Sequence, residues 1–349
     1  MGEYGSRRLR GGMTLAAIVL TLAGTSAMGA DQPYKVVKRA TLGGEGGWDL
    51  LSVDPAGRRL YVSRATRVMV VDADTLAAVG EIPDTSGVHG IAVAAGEGRG
   101  FTSNGRANAS TIFDLKTLKP VGEAKTGENP DEVHYDPATH RVFAFNGRSG
   151  DVTVLDAKDG KVAGTIALGG KPELAASDGK GTVFVNLEDK SEVVALDARD
   201  LKVKARWPLS PCQEPTGLAI DAAHHRLFAA CDNKMMAVVD TDSGKVVTTV
   251  PIGAGPDGAA FDAERGLVFI PNGRDGTLTI VREVSPDKYE VAQTLETARS
   301  ARTIALDPQT HNVYLVAARF GPAPSPTADQ PRARPAMVPG TFEVLVVGR

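Results

Sequence analysis

The feature that most constrains this chain is a repeat. Aligned on the Asp that usually ends the first strand of each unit, seven segments fall at Asp54, Ala94, Asp136, Asp178, Asp221, Asp262 and Asp307, with gaps of 40, 42, 42, 43, 41 and 45 residues. A period near this length, with several short strands per unit, predicts a radial β architecture. A second column keeps the same register: Tyr61, Phe101, Phe143, Phe184, Phe228, Phe269 and Tyr314 occupy matching places in the second strand. An aromatic in every unit is what packing one blade on the next requires. The expectation is an all-β chain, a seven-bladed β-propeller of four-stranded blades.

The remaining strands can be read from the same alignment. VMVVD, TIFDL, VTVLD, VVALD and MAVVD are third strands, and Asp72, Asp156, Asp197 and Asp240 close them into polar turns. An Asp there bonds the backbone two residues on and completes the turn by itself. Runs such as KVAGTIAL and KVVTTVPI supply fourth strands. The last unit has a first and second strand within 303–316 and a third within 342–347, after which the chain ends. Its fourth strand is then YKVVKRATL, from Tyr34 to Leu42. Pairing the two chain ends in one blade closes the ring and removes exposed edges.

Composition suits this reading: 42% of the 349 residues are hydrophobic and 23% charged, enough to bury a large core, while 39 Gly and 21 Pro supply many tight turns. No apolar run reaches the roughly 18 residues of a membrane span. Arg7, Arg8 and Arg10 precede the short apolar run MTLAAIVLTLAG, and the small-residue stretch TSAMGA follows. That three-part layout predicts a cleaved secretory signal over residues 1–30, with cleavage within 27–31. The expected domains are therefore the signal and a single propeller over residues 31–349, periplasmic or secreted. Losing three Arg and Glu3 takes the net charge from −3 to −5. Cys212 and Cys231 flank the hairpin GLAIDAAHHRLFAA. Antiparallel pairing brings them together, and export permits a structural disulfide there.

RLYVSR, VTVLDAKDGKVAGTIALGGKPE and MAVVDTDSGKVVTTVPIGAGPDGAAFD resemble the YVTN-repeat β-propellers, the YncE-like family, across residues 34–348. The resemblance implies an exported seven-bladed propeller. It implies no reaction, because that family has no shared catalytic motif to carry over.

In a propeller, the loop entering the innermost strand and the loop between strands two and three share one face. The first set gives an inner ring of Asp49, His89, Asp131, Glu173, Thr216, Asp257 and Arg302 around the channel mouth. It reads either as a solvated polar wall or as a ligand site. The second set gives an outer basic collar of Arg67, Arg106, Arg148, Lys190, Lys234, Arg274 and Arg319. The collar reads either as partners for the inner acids or as an attractor of anions. On the same face the last unit inserts a Pro-rich loop at 319–340, with Arg332 and Arg334, long enough to fold over the channel as a lid.

One repeat breaks its own rule. GENPDEVHYDP carries Glu132 where the other units have Leu, Gly or Thr, and His134 where they have Ser or Ala. The two side chains point to one side of the inner strand. They read either as a buried His bonded to Glu132, or as part of a metal site completed by His89, Asp131 or Glu173. His140, His224, His225 and His311 fall in turns on the opposite face.

Two functions compete. The first is an exported binding or scaffolding protein that holds a small anionic ligand or a periplasmic protein on the lidded face. The second is a metal-dependent hydrolase of the lactonase kind, with Ca, Zn or Mn at the channel mouth. No lactonase motif supports the second, and no catalytic residue is assigned. Nucleic-acid binding conflicts with the acidic net charge and with aromatics at only 5%.

Overall fold

Seven antiparallel sheets of four strands each make up the molecule, and each sheet is one blade. The computed structural model describes residues 1–6, 32–324 and 335–349. Contacts divide the chain into Met1–Gln32 and Pro33–Arg349, and the blades belong to the second unit. Most of the expected signal lies outside the described residues. Among the described residues no helix is long and apolar enough to cross a membrane.

The repeat columns correspond to physical layers. The inner strands end at Asp54, Ala94, Asp136, Asp221, Asp262 and Asp307, and in the fourth blade the strand ends one residue before Asp178. The aromatic column is buried throughout, from 0% exposure at Tyr61 to 3% at Phe184. Each ring packs across a blade interface, as Phe228 does on Phe261 of the next blade at 5.2 Å between centroids. Burial of one such ring contributes about 2–3 kcal/mol, so the column is a main source of cohesion between blades.

Closure follows the expected route. Lys35–Thr41 pairs antiparallel with Glu343–Gly348, which pairs with Asn312–Ala317 and so with Ile304–Asp307. The third-strand turns also form as expected: Asp72 and Asp240 each accept a backbone N–H at 2.7 Å, from Thr75 and Ser243. The sixth blade departs from this pattern. Arg282 stands opposite Leu267, in the register where Asp72 faces Arg59 and Asp240 faces Arg226. Without the Asp turn, the third strand runs on through Thr277–Ser285 and returns as Lys288–Glu296.

Cys212 and Cys231 form a disulfide with Cα atoms 5.8 Å apart. Such a staple, closing a short loop, contributes about 3 kcal/mol.

Candidate functional site

The inner ring assembles at the channel mouth, in a cavity of about 210 Å³. Its charged lining is Asp49, Asp131, Glu132, Glu173, Glu188 and Asp257 against Lys171 and Arg302. His89 Nδ1 lies 2.6 Å from Asp49 Oδ2 and 3.2 Å from Asp131 Oδ1. On the other side, Arg302 donates from Nη2 to Asp49 Oδ1 at 2.7 Å and from Nε to Asp257 Oδ2 at 2.6 Å. Lys171 Nζ reaches Glu173 at 2.6 Å and also bonds Glu188. Thr216 instead turns its hydroxyl to the Pro256 carbonyl at 2.9 Å, away from the charge network.

Crowding of acids in a confined space shows in their proton affinities. Burial, reinforced by Asp131, pushes the Glu173 carboxyl up to about 9. Lys171 is raised too, although burial alone lowers it, because it bonds two carboxyls. The two shifts pull against each other across one contact. We take Lys171 as charged and Glu173 as upward-shifted, because that ammonium is shared with Glu188 while Glu173 is the more enclosed. Burial likewise lifts Asp257 to about 6 against the opposing pull of Arg302. Asp131 is raised by burial, with the charge of His89 opposing. Burial depresses His89, but its bond to Asp49 and the charges of Asp131 and Asp49 together outweigh that, so the imidazole is raised. Carboxyls that hold their protons for want of counter-charge mark a place where an incoming cation is stabilised.

Below the mouth the channel continues. Glu132 lines both the mouth cavity and a second one of about 350 Å³, which it shares with His134. No hydrogen bond joins the two side chains, and His134 Nε2 has no partner among the described residues. The structure therefore corrects the expectation of a His bonded to Glu132. Both are deep in the molecule yet keep some surface on the channel. Burial lifts Glu132 well above the usual carboxyl range, with Asp131 adding to it, and holds His134 down to about 4. The small residues of the Glu132 column have a steric cause. A Cβ on Gly217 would stand 2.5 Å from the backbone of Gly258 in the next blade, and one on Gly90 would stand 3.2 Å from Val133 N.

The collar forms, but not as a partner of the inner acids. Arg67 pairs with Glu81 at 3.3 Å, Lys190 with Asp189 at 3.6 Å, and Arg274 with Asp232. These acids lie in the collar's own blades or in the neighbouring loop. Arg106, Arg148 and Lys234 are exposed, with no ion pair seen among the described residues. Lys171 and Glu188 escaped the sequence reading because they precede and follow the ring positions in their loops. The Lys before Pro172 in GGKPE was the available signal.

The ends of the Pro-rich insertion are anchored. Gly321 N donates to Ala336 O at 2.8 Å, Val338 N to Arg319 O at 2.8 Å, and Phe320 rests on Trp48 at 5.8 Å between centroids. The middle of the insertion, with Arg332 and Arg334, lies outside the described residues.

No family model and no curated protein matches the chain. Among solved structures it is similar to hydrazine synthase of Kuenenia stuttgartiensis, with a TM-score of 0.70 and 15% identity over 78% of this chain and 92% of that one. It is also similar to the WD40 repeats of RRP9, with a TM-score of 0.75 and 8% identity over 91% of this chain and 99% of that one. Identities this low speak for architecture alone, and the architecture is a seven-bladed β-propeller.

Proposed function

We propose that the protein is an exported binding or scaffolding module of the YVTN-repeat kind. In this reading the signal over residues 1–30 is removed and the single domain from residue 31 works in the periplasm or outside the cell. The disulfide supports an oxidising compartment. The working face is the channel mouth, on the face that bears the 319–340 loop.

The observation that carries the reading is the arrangement of charge: a throat with excess buried carboxyl groups inside a ring of exposed cations. Arg106, Arg148 and Lys234 draw anionic groups to the rim, which suits a small anionic ligand or the acidic surface of a partner protein. The throat takes the opposite sign, an ammonium or guanidinium that offsets the crowded carboxyls, of which Glu173 is pushed up to about 9. A protein loop with a basic tip and acidic flanks satisfies both. The test is calorimetric titration with spermidine as the cationic probe. Saturable binding that weakens in Asp131→Asn, and weakens further below pH 6, supports the throat as the site. Absence of binding, or binding indifferent to Asp131→Asn, removes it.

A metal-dependent hydrolase is the second reading, because Asp49, His89 and Asp131 offer ligand atoms within 4.8 Å of one another. A divalent ion held there would activate a water molecule for attack on a lactone. Arg302 bound to Asp49 disfavours it by occupying the same charge.

A further inference from the structure

On the opposite face, the Asp that ends the inner strand has a shared pattern in three blades: Asp136, Asp262 and Asp307 each accept one bond from the residue three positions on and one from the next blade. Thr139 donates to Asp136 Oδ2 at 2.6 Å, and Thr310 to Asp307 Oδ2 at 2.7 Å. From the next blade come Ser177 to Asp136 at 2.5 Å, His311 to Asp262 at 2.8 Å and Arg58 to Asp307 at 2.7 Å. Each of these next-blade partners can donate a hydrogen bond to the carboxylate.

Asp221 keeps the first half of this pattern and breaks the second. Three positions on stands His224, with Nδ1 2.6 Å from Asp221 Oδ2. From the next blade comes Glu283, an acid in place of a donor. Its backbone N–H bonds the Gly266 carbonyl, as Ala73 bonds Arg58, Ala157 bonds His140 and Ala198 bonds Gly181 in their blades. Those three alanines are 0–3% exposed, so Glu283 puts a carboxylate where other blades bury a methyl group. Its side chain is only 5% exposed, and Oε1 accepts no hydrogen bond although His224 Nδ1 is 3.1 Å away. The departure at Glu283 sets a second carboxylate against Asp221 and His224, with a buried oxygen that accepts no hydrogen bond.

We propose that Asp221 Oδ2, His224 Nδ1 and Glu283 Oε1 are the three protein ligands of a divalent-cation site of the zinc class. The three atoms lie within 4.8 Å of one another. Tetrahedral zinc at ordinary bond lengths separates its ligands by roughly 3.4 Å. The cluster is slightly tight for that, and His224, with 53% of its side chain exposed, has room to draw back. The same exposure leaves the fourth position to water. One imidazole with two carboxylates suits zinc better than calcium. The other charge facing the cluster is Arg226, already committed to Asp240 at 2.6 Å and Asp287 at 2.8 Å, and Tyr289 packs beside it. Burial, with Asp221 close by, pushes the Glu283 carboxyl up to about 7. The bond with Asp221 also raises His224.

The experiment is titration of the purified full chain, stripped with chelator, with Zn²⁺ alone, read by calorimetry and by melting temperature. One equivalent is expected, with a higher melting temperature. Glu283→Ala and His224→Thr install residues that other blades carry at these places, and each is expected to weaken zinc by about 100-fold or more. If either fails to melt cooperatively, Glu283→Gln takes its place. Absence of saturable zinc overturns the proposal, as does zinc that persists through both substitutions. Zinc lost instead with His89→Ala belongs to the channel mouth, which overturns this site while supporting the metal reading of that one.

Discussion

His89 and His224 each turn Nδ1 to two carboxylates, and their surroundings treat them differently. At the channel mouth, His89 joins Asp49 and Asp131, and Asp49 also receives Arg302. At the far end of the fifth blade, His224 joins Asp221 and Glu283, and the nearest guanidinium, Arg226, is spent on Asp240 and Asp287. The first cluster is balanced by a cation built into the chain. The second has a buried oxygen with no donor. Similar ligand atoms therefore differ in what they demand from outside: the mouth can exchange Arg302 for an arriving cation, whereas the far cluster requires one.

The largest test of this contrast is Arg302→Gln. It removes the cation that bridges Asp49 and Asp257, leaving two carboxylates in a confined space. Loss of one partner from a buried ion pair is costly. With a third of the Arg302 side chain exposed, the expected loss is about 2–3 kcal/mol, measured by urea unfolding at pH 7.5. The variant mouth then resembles the far cluster, so millimolar divalent cation is expected to restore part of the loss. A variant as stable as the parent would show that Arg302 is not what balances the mouth.

Glu173→Gln tests the acid crowding more finely. The folded pKa of Glu173 is raised to about 9. A raised carboxyl contributes stability that is full below the unfolded value, near 4.5, and is lost as pH rises toward the folded one. The substitution should therefore be neutral at pH 5 and increasingly stabilising toward pH 9. The ceiling is about 1.4 kcal/mol per pH unit, and sharing with Lys171 and Asp131 brings the expected gain between pH 6 and 8 to about 1–2 kcal/mol. Melting curves across that range decide it. A gain that shrinks with rising pH would mean that Glu173 is ionised beside Lys171.

How much of this was legible in the sequence depends on whether a residue obeys the repeat. Asp49, His89, Asp131, Asp257 and Arg302 were found because each occupies a ring position counted back from the inner strand. The aromatic column and the closing strand at Lys35–Thr41 were found the same way. Lys171 and Glu188 were missed because ion pairing depends on how loops fold together, which periodicity does not encode. Which acids meet the collar is equally invisible to periodicity: Asp189 and Asp232 pair with Lys190 and Arg274, and the inner ring does not. His224 was set aside as a turn residue. Its partner Glu283 lies in the blade where Arg282 replaces the turn-forming Asp, so the third-strand repeat does not mark it. The departure was in the letters, but its meaning needed the next blade beside it.

The smallest expected effect belongs to His134, and it sharpens what an unpartnered polar group signifies. Like Glu283, His134 has a buried polar atom without a partner, here Nε2. It carries no charge at neutral pH, because burial holds its pKa down to about 4. A depressed imidazole contributes stability that is full above the unfolded value of about 6.5 and lost as pH falls toward the folded one. His134→Ala installs the residue found at Ala92, Ala176, Ala219, Ala260 and Ala305, and at pH 7.5 it should be nearly neutral. Between pH 6.5 and 4 it should flatten the acid limb of the stability curve by about 1 kcal/mol, well below the ceiling of the shift, because the channel admits water beside the ring. If the variant is destabilised at neutral pH and its acid limb is unchanged, His134 is held by a bond that forms only in solution. The unpartnered nitrogen would then be, like Glu283 Oε1, a place for a ligand.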